Sequence, residues 1–405
     1  MTMTLLPDAP WRHRPGFDDL CRLLGGAEDQ VRLVGGAVRD GLLGIPVNDI
    51  DLATPHTPEE VMRRLKAAGI KAVPTGIAHG TITAVLVDHH PVEITTLRRD
   101  VSTDGRRATI AYTDDWREDA ARRDFTMNAL YADPVSGRIF DYFGGLDDLA
   151  ARQVRFIGDP RARIAEDHLR ILRYFRFLAR FGALPPDAQS YAACVDQANS
   201  LMALSRERIA DEVMKLLALP HPCAVIALMI EGGIFAPVLP EIDGAGLRRL
   251  ETLIEREEQS ALPPSAQLRL AALLPPDPAM AEKVAARLKL SNKARKRIVA
   301  ALTPPPPHAH VRELAFRIGR ESAIDHILLD GNLPAQDAAT LNDWRIPDFP
   351  VGGKDLLALG VQPGPAVAAM LGTIRERWIA AGFPPTAQAQ AMAAQCVAEF
   401  ERSCQ

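Results

Sequence analysis

Apolar positions follow two regimes along this chain of 405 residues. Between residues 30 and 141 they come in short runs broken by turn-forming residues. Residues 31–34 read as a short strand that ends on Gly35 and Gly36, and 50–52 as a second strand after a turn-rich stretch. Residues 81–87 and 92–97 are rich in β-branched side chains and flank the turn-like 88–91, the pattern of a hairpin. A helix is predicted over 57–68, with Thr57 as N-cap and Pro58 at its first position. Beyond about residue 160 strand-like runs give way to Ala/Leu/Arg-rich helical stretches. Ile171, Leu172, Phe175, Leu178 and Ala179 recur at the spacing of one helix face, and 206–218 is a second strong helix. Four prolines in a row within 303–308 read as a stiff connector. The pattern predicts an α+β fold: a head with a mixed β-sheet and helices, then an all-helical remainder.

Composition changes this picture little. The chain is 47% hydrophobic and 24% charged, and its length predicts two to four structural units. A net charge of −4 means that any nucleic-acid contact must come from local basic patches. The five cysteines, at 21, 194, 223, 396 and 404, are scattered and form no CxxC pair. That argues against a disulfide framework or zinc ribbon and points to a reducing, cytoplasmic setting. Residues 1–14 do not read as a signal peptide, and no apolar run is long enough to span a membrane.

The candidate chemistry starts at Asp49 and Asp51. On a strand these carboxylates share one face while Ile50 and Leu52 turn inward. Such a pair repels unless neutralised, and oxygen-only ligands favour Mg²⁺. Glu93, between Val92 and Ile94, supplies a possible third carboxylate. A DxD triplet alone is common in loops. Here it follows Gly35-Gly36 at a predicted strand-to-helix turn, with Arg39 in the helix 37–43. Such a turn lets phosphate approach backbone N–H groups, and arginine adds a planar phosphate donor.

LVGGAVRDGLLGIPVNDIDLAT at 33–54 resembles the signature of class II tRNA nucleotidyltransferases and bacterial poly(A) polymerases, within the DNA polymerase β superfamily. TGIAHGTIT (75–83), VEITTLRRD (92–100), ARRDFTMNALYAD (121–133), DYFGGLDDL (141–149), EDHLRILRYFRF (166–177) and SRERIADEVMKLL (205–217) extend the resemblance over roughly 30–220. It implies Asp49, Asp51 and Glu93 as catalytic carboxylates, with the metal on Asp49 and Asp51. Gly35, Gly36, Arg39 and Arg123 would bind the nucleotide, with Arg122 a weaker candidate. Asp167 and Arg170 would read the incoming base, helped by Arg173 and Arg176. It implies three divisions: 1–150 as catalytic head, 151–220 as base-selecting neck, and 221–405 as tRNA-binding body and tail. The expected activity is addition of C, C and A to the tRNA 3′ end from CTP and ATP, with pyrophosphate released. Poly(A), CC-only or A-only addition are the alternatives.

Base reading has a chemical basis of its own. Cytosine and adenine each set an exocyclic amino group beside an unprotonated ring nitrogen, matching one acceptor and one donor; uracil and guanine invert the pattern. On a single helix Asp167, Arg170 and Arg173 would cover about a third of the circumference, with Arg176 turned away. The segment 98–107, with Arg98, Arg99, Arg106 and Arg107 around Gly105, corresponds to the family's flexible loop. Between Arg287 and Arg297 lie six basic residues and no acidic one, and Ser291 is placed to cap a helix. Lys293, Arg295, Lys296 and Arg297 are the candidate contacts to RNA phosphates. No obligate protein partner is expected.

Overall fold

The computed structural model describes residues 4–104 and 107–403, with the backbone alone at 78, 100–104, 107–110 and 403. The strands are β1 (Arg32–Val34), β2 (Ile50–Thr54), β3 (Lys71–Gly76), β4 (Thr81–Val85), β5 (Pro91–Thr96), β6 (Arg98–Asp104), β7 (Arg107–Tyr112), β8 (Leu130–Ala132) and β9 (Ile139–Asp141). Seven of them form one sheet in the order β3-β4-β5-β2-β1-β8-β9. Only β2 and β5 run parallel; the other pairs are antiparallel. The hairpin expected over 81–97 is β4–β5, and the strand expected over 50–52 is β2.

The chain packs as two compact units, Met1–Pro240 and Glu241–Gln405. In the first, helices α1 (Phe17–Leu23), α2 (Gly36–Leu42), α3 (Pro58–Ala67), α4 (Trp116–Ala121) and α5 (Gly145–Ala150) accompany the sheet. The expected cap of α3 is present: Thr57 accepts from the Glu60 N–H, and Pro58 opens the helix. Arg32 clasps the sheet to α4, its guanidinium lying 4.1 Å from the Trp116 ring centroid and 3.5 Å from that of Phe140. Five more helices complete this unit: α6 (Pro160–Glu166), α7 (Arg170–Phe181), α8 (Ala188–Asp196), α9 (Arg206–Leu217) and α10 (Cys223–Glu231).

The buried face of α7 is broader than the spacing of its aliphatic residues implied. Tyr174, Phe177 and Phe181 are buried with Ile171, Leu172, Phe175 and Leu178, while Ala179 is half-buried. Each large side chain so buried contributes roughly 1.5–3 kcal/mol before entropy is counted. That anchorage holds the arginines on the helix's other side in fixed positions.

The second unit is helical throughout its described residues: α11 (Gly244–Ser260), α12 (Ala266–Leu273), α13 (Pro278–Arg287), α14 (Asn292–Leu302), α15 (Val311–Ile318), α16 (Arg320–Asp330), α17 (Ala335–Asn342), α18 (Gly353–Ala358), α19 (Pro365–Ala380) and α20 (Thr386–Ser403). The proline run joins α14 to α15 without regular structure, as its lack of N–H donors requires. No helix among the described residues is long and apolar enough to cross a membrane. The described cysteines form no disulfide; Cys404 lies outside the described residues.

Two sequence expectations need correction. Asp167 does not share a helix with Arg170 and Arg173. It stands at the end of α6 in extended conformation (φ −152°, ψ 105°), and α7 begins three residues later. Its carboxylate accepts from the Leu169 N–H at 3.1 Å, a local bond that competes with helix continuation. The segment expected as a loop, 98–107, is instead mostly strand, since β6 and β7 pair antiparallel. Gly105 and Arg106, at its turn, lie outside the described residues.

Candidate active site

β1 ends where Gly35 turns the chain into α2. Gly35 has φ +65° and ψ −121°, a conformation open to glycine but strained for any residue with a Cβ. Gly35 and Gly36 line a cleft of about 550 Å³ together with Arg39, Asp51, Arg98, Arg122, Arg123, Asp124, Asn128, Asp167, Arg170, Arg173 and Phe177. Six of these thirteen residues are arginines against three aspartates, so the lining carries a net positive charge. Residues from the glycine turn, β2, the 122–128 segment and α7 all meet there.

The parallel β2–β5 register pairs Asp51 directly with Glu93, so two carboxylates stand side by side on neighbouring strands. Asp49, one residue before β2, is exposed, whereas Ile50 and Leu52 are buried, as the alternation predicted. Burial, then Glu93 and Asp49 acting against the pull of Arg123, push the Asp51 carboxyl up to about 6. A divalent cation would relieve that repulsion, and the donors are all carboxylate oxygens, the hard set that suits Mg²⁺. Asp49, Asp51 and Glu93 therefore fit such an ion by chemistry. They are not drawn into a closed cage: among the described residues no three His, Cys, Asp or Glu side chains are gathered as metal ligands. Asp49 and Glu93 lie outside the cleft lining itself.

The arginines are held by acids that sequence reasoning missed. Asp119 on α4 is 1% exposed, and accepts from Arg122 Nε at 2.8 Å and Arg123 at 3.0 Å. It also accepts from the Tyr131 hydroxyl at 2.6 Å and the Arg98 N–H at 3.2 Å. The signal was present, since Asp119 sits three and four residues before the arginine pair in a helix-forming stretch. Asp124 accepts from Arg173 Nε at 2.9 Å and from Asn128 Nδ2 at 2.8 Å, and Asn128 Oδ1 in turn accepts from Arg39. Arg39 also donates to Asp40 at 2.8 Å and lies 4.2 Å from the Phe181 ring centroid.

At the junction of α6 and α7, Asp167 Oδ2 accepts from Arg208 of α9 at 2.7 Å, not from Arg170. Arg170 donates to Glu166 and to the Arg163 carbonyl at 2.7 Å. Arg176 pairs with buried Glu212 at 2.6 Å and does not line the cleft. Of the basic residues on α14, Arg295 pairs with Glu282 at 3.3 Å and Arg297 with buried Asp325 at 2.8 Å, while Lys293 and Lys296 are exposed. Ser291 caps that helix as expected, accepting from the Ala294 N–H.

A mixed sheet presenting paired carboxylates beside an arginine-lined cleft and a glycine turn defines a nucleotidyltransferase. Residues 31–155 match the poly(A) polymerase head domain, and 184–245 match the probable RNA and SrmB-binding site of polymerase A. The chain belongs to the CCA tRNA nucleotidyltransferase family. It is 34% identical to the mitochondrial CCA tRNA nucleotidyltransferase 1 of Mus musculus over 91% of this chain and 87% of that one. The Homo sapiens protein of the same name matches at the same identity and coverage. Among solved structures, the Bacillus stearothermophilus CCA-adding enzyme in complex with CTP superposes with a TM-score of 0.73 at 28% identity, covering 96% of this chain and 100% of that one.

Proposed function

We propose that this protein adds C, C and A to the 3′ end of tRNA, using CTP and ATP without a nucleic-acid template and releasing pyrophosphate. The observation that carries this reading is the cleft, where Asp51, the glycine turn, Arg39, Arg123, Asp167 and Arg170 converge. Gly35, Gly36, Arg39 and Arg123 grip the triphosphate, and the RNA 3′-hydroxyl displaces pyrophosphate from the α-phosphorus. Asp49 and Asp51 would hold Mg²⁺, with Glu93 as the third carboxylate; such an ion would supply acidification of the attacking hydroxyl and charge compensation for the phosphates. Asp167 accepts from the exocyclic amino group of cytosine or adenine. Arg170 donates to the adjacent ring nitrogen, with Arg173 and, at longer reach, Arg176 in support. Although Arg208 and the Leu169 N–H already occupy Asp167, a carboxylate offers about four acceptor positions, so capacity remains.

We assign catalysis to 1–150, base selection to 151–220 and tRNA binding to 221–405, where Lys293 and Lys296 are the phosphate contacts, with Arg295 and Arg297 beside them. A cytoplasmic location is supported by cysteines that are scattered along the sequence without a CxxC pair. The test incubates the protein with tRNA lacking its 3′ end, Mg²⁺, and labelled nucleotides singly and together. Growth by three nucleotides that stops at CCA, and is abolished by chelation, is expected. A long adenosine tail, a stop after CC, or no incorporation would each refute the reading.

A further inference from the structure

Four buried or half-buried groups form a continuous chain across the cleft: Arg39, Asn128, Asp124 and Arg173. Arg39, Asn128 and Asp124 are 7%, 8% and 8% exposed. Arg39 is carried by α2, behind the glycine turn, and Arg173 by α7, on the base-reading side. Between them Asn128 accepts from Arg39 through Oδ1 and donates to Asp124 Oδ1 through Nδ2, and Asp124 Oδ2 accepts from Arg173 Nε. Asn128 itself is fixed in a one-turn 3₁₀ segment, with its N–H donating to the Phe125 carbonyl at 2.9 Å.

The chemistry of this link is restrictive. One end must accept from a cation and the other must donate to an anion, from a side chain with a single carbon between backbone and amide. A carboxylate would face Asp124 with no donor, and an aliphatic side chain would bond neither group. Removing the link would leave buried charges under-satisfied, where each such bond matters most.

We propose that Asn128 is a positioning residue that couples the phosphate-side Arg39 to the base-side Arg173, so that the grip on the triphosphate and the placement of the base are set together. The proposal rests on the nucleotide-binding reading above and goes beyond it by naming the element that joins its two halves. Neither arginine reaches the other directly; both approach Phe177, whose ring centroid is 5.2 Å from Arg39 and 5.5 Å from Arg173, but a ring carries no donor-to-acceptor direction.

The test is a double-variant cycle read by calorimetric titration of CTP into the full-length protein. Arg39→Lys, Arg173→Lys and the pair are compared in the native background and again with Asn128→Ala. In the native background the pair's loss of affinity should differ from the product of the single losses by about 3- to 10-fold. With Asn128→Ala the product should hold within about 2-fold. Coupling of equal size in both backgrounds, or in neither, overturns the proposal. Should Asn128→Ala fail to fold, the isosteric Asn128→Asp replaces it with the same expectations, because it deprives Asp124 of the donor. A native protein that does not bind CTP at all refutes the nucleotide-binding reading itself; binding without coupling refutes only the role of Asn128.

Discussion

Asp119 receives four donors on two oxygens, from Arg122, Arg123, the Tyr131 hydroxyl and the Arg98 N–H. Burial alone would raise its carboxyl, but Arg123 and Arg122 outweigh that and hold it well below the usual carboxylate range. Because the folded value is depressed, its stabilisation is fully present above the unfolded value near 4 and is lost as pH falls below it. Asp119→Asn should lower stability by about 3 kcal/mol at pH 7, since it leaves the half-buried Arg122 and Arg123 without their counter-charge. Urea unfolding of both proteins should show this gap narrowing below about pH 4; a gap that is constant or grows in acid would contradict the account. Asp167 acts at the same scale. Asp167→Ala should raise use of UTP and GTP relative to CTP and ATP by roughly 10-fold, with triphosphate affinity changed less. Single-turnover incorporation of each nucleotide measures this, and an equal loss for all four would count against base reading. Asp51, Arg39, Arg170 and Arg173, which the cleft brings together, were legible in the sequence because they stand in short patterns with evident chemistry. Asn128 and Arg208 were not, because their meaning lies in partners brought close only by folding.

At the scale of elements, α14 shows what a sequence can and cannot reveal. Its cap and its basic run were readable, but the acids that neutralise half of that run lie on α13 and α16. Of the four, Lys293 and Lys296 are the two that are exposed. Changing both to Glu should weaken tRNA binding by about 10-fold at low salt and lower the slope of log K against log salt by about 2. Arg297→Ala should mainly reduce the melting temperature, since it strands buried Asp325. Filter-binding titrations across a salt series, alongside thermal melts, separate the two; equal effects on binding would refute the division. The α6–α7 junction carries a similar lesson. Asp167, Arg170 and Arg173 were expected on one helix, yet Asp167 bonds to the Leu169 N–H and stands in extended conformation at the end of α6.

For the molecule as a whole, the change from a mixed-sheet head to an all-helical remainder was visible in the apolar pattern. The full extent of the sheet was not. β8 and β9 are three residues each, too short to show alternation, and β3 is mostly exposed along its length. The sheet's one parallel pair was hidden for another reason: its strands were legible, but they are separated in the chain by α3, β3 and β4.

That parallel pair bears on how the protein comes to life. Asp51 and Glu93 meet across the intervening helix and strands, so theirs is a non-local contact of the kind that slows folding. A slip of one residue in the pairing would turn Glu93 inward and bring Val92 or Ile94 to the surface, so an off-register chain gains no working centre and exposes grease instead. The meeting of the two carboxylates thus arrives with the correctly registered sheet and not before it.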